Sequence, residues 1–169
     1  PAHAAVTQFN YGMLASGSAP FSGAAFVPGE DPGEGDPYVR TFDTVDYRVA
    51  YSLSPAAANR VLTVSMGTTT LPGGYAGPPL TSAQIALFRV ADLPVGPNGC
   101  QNIVTTPVPL PAPGTTPANS GVTADGQTIV CVQPANGSAS TLSFRATVGG
   151  AVPGGTTIAP PTITLWSDG

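Results

Sequence analysis

The sequence predicts an all-β fold, an immunoglobulin-like β-sandwich of about seven to eight strands with long Pro/Gly-rich loops. Three observations predict it. Apolar residues alternate with polar ones over short β-branched runs, the pattern of a sheet with one face on a core. Gly or Pro interrupts those runs every ten residues or so, with 21 Gly and 20 Pro in 169 residues. Helix signals are almost missing. So much Gly and Pro nears the range of disordered chains, but 41% hydrophobic residues supply apolar area to bury.

The strands follow in order. "AAVTQFNYG" reads as a first strand. A Gly/Ser/Ala loop holding Phe21 and Phe26 comes next. "TVDYRVAYSL" is the clearest strand: Val45, Tyr47, Val49, Tyr51 and Leu53 share one face, and Asp46, Arg48, Ala50 and Ser52 the other. In "RVLTVSM", Leu62, Val64 and Met66 alternate with Val61, Thr63 and Ser65, so both faces are expected to be covered. "GTTTLPGGYAGPPLT" is a long loop with Tyr75 near its tip. "AQIALFRV" reads as a strand with Ile85 and Leu87 opposite Phe88 and Val90.

The second half repeats the style. "PVPLPAPGTTPANSG" is predicted to run extended over the surface. "GQTIVCV" is a strand and "QPANGSAS" a turn. "TLSFRATV" turns Leu142, Phe144, Ala146 and Val148 inward and Ser143, Arg145 and Thr147 outward. "TITLW" closes the fold, with Ile163 and Leu165 facing one way and Trp166 the other. The length suits one domain over 1–169, with a first strand and loop in 1–28 and the core in 29–169.

Composition excludes several functions. Only 8% of residues are charged, against about a quarter in ordinary domains, and lysine is absent. A net charge of −4 and no basic patch argue against nucleic acid as a partner. No apolar run reaches the ~18 residues of a membrane span, so no membrane insertion is expected. No charged n-region opens the chain at Pro1, which reads as a mature protein or an excised segment. Cys100 and Cys131 form an even pair in a polar context, which points to one disulfide and an oxidising compartment. Two free buried thiols are the competing reading. A Cys-Gln thioester would strand the other cysteine.

Catalysis is not expected. The one histidine, His3, lies at the terminus, where a Ser-His-Asp arrangement would have no fixed support. Six of nine acidic residues gather between Glu30 and Asp46. Paired carboxylates for acid/base work need fixed separation and differing environments, which one Gly/Pro loop does not offer. Calcium is the sharper candidate, because it takes 6–8 hard oxygens. Glu30, Asp31, Glu34, Asp36 and Asp43 can supply several, although the plainer reading is a solvated acidic turn that keeps a low-charge surface soluble. Tyr11, Phe21, Phe26 and Tyr75 are candidates for a ligand- or sugar-stacking platform, against the plainer reading that they pack loops and core.

Several stretches together resemble a known family. "RTFDTVDYRVAYSLSPAAANRVLTVSM", "LPGG", the paired cysteines and "GSASTLSFRATV" are similar to the DUF11-type conserved-repeat modules of bacterial, in particular actinobacterial, cell-surface proteins. The likeness covers roughly residues 29–158. It departs from the family where Phe42 replaces a glycine before "DTV", and where Ser54-Pro55 replaces an Asn-x-Gly turn. The resemblance implies a secreted or cell-surface, non-catalytic, structural or adhesive module. Its implied partners are neighbouring modules or subunits, glycans, or host or cell-surface proteins. The alternatives are a carbohydrate- or ligand-binding module using loop aromatics, and a fibre subunit assembling by strand exchange through residues 1–10 or 160–167.

Overall fold

The computed structural model describes residues 5–16, 42, 44–54, 59–134, 139–159 and 161–167. The fold is all-β, with ten strands among these residues rather than seven or eight, because three two-residue pieces join the longer ones. The strands are β1 (Ala5–Ser16), β2 (Thr44–Ser54), β3 (Arg60–Ser65), β4 (Thr69–Thr70), β5 (Ala86–Phe88), β6 (Gly121–Val122), β7 (Thr128–Gln133), β8 (Ala139–Val148), β9 (Thr157–Ile158) and β10 (Thr162–Ser167). One antiparallel sheet has the order β1-β2-β8-β5, a second β10-β3-β7-β6, and β4 pairs with β9 as a small ribbon.

The two large sheets share one hydrophobic cluster. Alternation selects its members: Tyr47, Val49 and Tyr51 of β2, and Leu142, Phe144, Ala146 and Val148 of β8, are all buried. Tyr47 lies opposite Phe144 in the ladder and meets the Phe88 ring edge-on at 6.0 Å. Leu62 and Val64 of β3, and Ile129 and Cys131 of β7, close the cluster from the second sheet. Burial pushes the Tyr47 hydroxyl up from 10.0 to about 12. The unfolded chain therefore releases that proton first. Stability is expected to be intact below pH 10 and to fall as pH rises toward 12, by about 1.4 kcal/mol per unit. Denaturant titrations at stepped pH check this, and Tyr47→Phe should remove that part of the slope.

As expected, β3 is covered on both faces: Val61 and Thr63 are buried like Leu62 and Val64. Val130 and Val132 of β7 repeat the pattern. The Pro-rich excursion accounts for the outer cover. Val108 N–H donates to the Val122 carbonyl on β6 (3.1 Å), and Trp166 Nε1 donates to the Thr115 carbonyl from β10 (2.7 Å). These strands are opposite edges of one sheet, three gaps of about 4.8 Å apart. Extended chain from Val108 to Ala112 spans up to about 14 Å, and the turn closed by the Thr115 N–H on the Ala112 carbonyl (3.1 Å) adds up to about 7 Å, enough to cross that width. The opposite face is filled by the shared core, so the excursion crosses the outer face. Up to Asn119 it has no regular element, as predicted, but it is a strap tied at both ends.

The predicted strand "AQIALFRV" is corrected. Ser82–Ile85 forms a helical turn, α1; only Ala86–Phe88 is strand, and Val90–Asp92 is a 3-10 turn. The Thr81 N–H and hydroxyl both donate to Gln84 Oε1 (2.8 and 3.2 Å), the backward half of a capping box. That cap turns the chain before a strand can start. Ile85 and Leu87 consequently do not share a face: Ile85 is buried and Leu87 exposed. Ile85 in turn accepts the Gly149 N–H (2.7 Å), and a Cβ at Gly149 would lie 2.0 Å from the Gln84 carbonyl oxygen. Only glycine permits that approach.

Phe42 is a strained position. Its φ is 70°, and its ring, 75% exposed, lies over Gly150. The left-handed region costs a side chain about 1–2 kcal/mol, and glycine gives back about 0.5–1 kcal/mol in backbone entropy. Phe42→Gly is therefore expected to stabilise by about 1 kcal/mol or slightly less and to raise Tm by about 2 °C. Calorimetry checks this; a lowered Tm would show that the ring contact with Gly150 outweighs the strain.

Candidate functional site

The structure brings together one predicted pair, Cys100 and Cys131. Their sulfurs are bonded, with Cα atoms 5.0 Å apart, and no free cysteine remains. Cys131 sits in β7 on the core side, opposite Leu62, and is fully inaccessible. Cys100 is delivered by a loop fixed on both sides of it. Its own N–H donates to the Pro94 carbonyl (2.8 Å), and the next, of Gln101, to Val132 (2.8 Å). Ser120 Oγ accepts the Val132 N–H (2.8 Å) just beyond. The bond therefore lies within the core cluster, away from the surface.

The aromatic platform is not assembled among the described residues. Tyr75 is half-buried, and its hydroxyl donates to the Pro78 carbonyl (3.3 Å). Its ring occupies the space a Cβ at Gly77 would need. The side chain is spent on its own turn. Tyr11 falls within β1, opposite Val49 in the ladder. Phe21, Phe26, Glu30, Asp31, Glu34, Asp36, Asp43 and His3 lie outside the described residues. Among the described residues, no group of three or more His, Cys, Asp or Glu is placed to hold a metal.

The structure adds a cleft that sequence reasoning missed. About 230 Å³ in volume, it is lined by Asp92, Ser143, Phe144 and Arg145. The 3-10 turn supplies Asp92, whose Oδ2 accepts from Arg89 Nε at 2.8 Å. The outward face of β8 supplies Ser143 and Arg145, the latter opposite Asp46 in the ladder. A carboxylate, a hydroxyl and a guanidinium can hold polar groups by hydrogen bonds. The signal was present as Arg-x-x-Asp spacing beside an outward Ser-x-Arg pair. Only the β5–β8 pairing puts the two segments side by side.

A buried polar cluster closes one end of the sheets. Arg60 is 1% exposed, with its guanidinium 5.8 Å from the Tyr51 ring centre. Gln133, opposite Arg60 in the ladder, donates its side-chain amide to the Asn98 carbonyl. Complete burial makes this cluster structural. The chain matches no protein-family profile, no curated protein and no solved structure.

Proposed function

We propose that this chain is a non-catalytic structural or adhesive module of a secreted or cell-surface bacterial protein. Its neighbours would be other modules or subunits of that surface. The observation that carries the reading is the Cys100–Cys131 bond inside the core, because such bonds persist in oxidising compartments. The sheet orders support an immunoglobulin-like sandwich. β1 and β2 pair, β3 starts the second sheet, and β8 and β10 return to pair with β2 and β3 respectively. β5 on the far side of β8 completes an order like the four-stranded sheet of that fold.

Antibodies raised against the chain test the reading on the source bacterium. Intact cells should be labelled, or the protein recovered from the medium with its disulfide formed. Labelling that needs permeabilised cells, with both thiols free, would overturn it. A second reading, binding of a small polar ligand such as a sugar, is favoured by the Asp92–Arg145 cleft. A glycan array decides it, with Arg145→Ala as the control: retention that survives the substitution, or no retention, removes that reading.

A further inference from the structure

The sheets' outer edges are treated very unequally. β5 is three residues long, and Phe88 N–H and the Ala86 carbonyl bond to Gly126 and Gln127 of the facing turn (2.9 and 2.8 Å). β6 is two residues long, and the incoming loop pairs along it through Val104 to Ser120 and Val108 to Val122. β10 differs. It has six residues, TITLWS, paired on one side with β3. Among the described residues no strand pairs with its other side. Natural edges are protected by charge, proline or shortness, because a bare row of N–H and C=O groups recruits another strand. Within its six residues β10 has no charge and no proline.

The core is also unfinished at this edge. Leu62, Val64, Ile129 and Cys131 are fully covered, whereas Ile163 and Leu165, packed against the same cluster, are only half-buried. One more strand, apolar at alternate positions and uncharged, would cover them. β10 itself has that pattern. Antiparallel self-pairing about Thr164 would place Thr164 against Thr164, Ile163 against Leu165, and Thr162 against Trp166. Apolar residues then meet on the core side, and a threonine meets an aromatic outside. A slip by one residue sets the core face of one copy against the outer face of the other. Centring on Leu165 keeps the faces but sets Ile163 against Ser167, and centring on Ile163 pairs only three strand residues, so Thr164 is the favoured centre.

We propose that the outer edge of β10 pairs with the same edge of a second copy of this chain, antiparallel and centred on Thr164, to make one continuous eight-stranded sheet. A two-fold contact of this kind closes on itself. It exchanges no strand and does not depend on where the module resides. Five paired residues per copy, Thr162 to Trp166, is a small interface, so association appears at high protein concentration.

Sedimentation velocity over a concentration series tests it on the disulfide-intact chain. The mass should rise from 16.8 kDa toward twice that value. Thr164→Lys should hold the chain at 16.8 kDa with an unchanged melting curve. Under mild oxidation Thr164→Cys should cross-link two copies, while Thr162→Cys, facing Trp166 of its partner, should not. A monomer at every concentration overturns the proposal. So does a dimer that survives Thr164→Lys, or one that cross-links equally through position 162, since either places the contact elsewhere. If the lysine unfolds the chain, the two cysteine variants decide between these outcomes.

Discussion

Replacing Cys100 and Cys131 together by alanine is expected to lower Tm by about 10 °C. The bond closes a separation of 31 residues, and in the chain-entropy account such a closure contributes about 3–4 kcal/mol. Spread over the unfolding entropy of 169 residues, that becomes the stated shift. Alanine is chosen because serine would bury a hydroxyl in the core beside Leu62 and Ile129. Scanning calorimetry reads the change, and a reductant added to the natural chain should reproduce most of it. An unchanged Tm would mean that the backbone bonds of Cys100 and Gln101 already hold the loop.

Phe144→Ala is expected to cost about 3–5 kcal/mol, the range for emptying a buried aromatic position. Phe144 is 1% exposed in the middle of β8, opposite Tyr47, with Leu142 and Ala146 on the same face. Its neighbour Ser143 faces outward, so Ser143→Ala should stay within about 0.5 kcal/mol. Urea denaturation of the two variants checks the pair of values. Equal effects at 143 and 144 would contradict the assignment of faces on which the whole first sheet rests.

These substitutions probe what alternation made legible. A period of two identified Tyr47, Val49 and Tyr51 of β2 and Leu142, Phe144, Ala146 and Val148 of β8 as the buried face, because side chains on successive strand positions must point to opposite sides. The doubled pattern of β3 announced cover on both faces. The cysteine pair was readable from an even count in a chain of this composition. The one correction has an equally local cause. Residues 83–90 look like a strand by apolar spacing, but Thr81 and Gln84 form a cap whose hydrogen bonds favour a turn. Tyr75 is held in its own turn, where Gly77 gives its ring space and Pro78 an acceptor.

The candidate site was less legible than the fold. The cleft joins a 3-10 turn to a strand some fifty residues later, and no spacing in the chain encodes that meeting. The strap over the second sheet could be read as extended, because proline fixes φ and removes N–H donors. Its destination depends on Trp166, which is distant in sequence from Thr115.

The sequence by itself determined the all-β class, the inward faces of the long strands and the cysteine pair, since each follows from local chemistry and periodicity. Only the tertiary structure decided which strands are neighbours, which edges are covered and which residues line the cleft. Those outcomes depend on contacts between segments far apart in the chain, where hydrogen bonding and burial choose among pairings that local patterns leave equal.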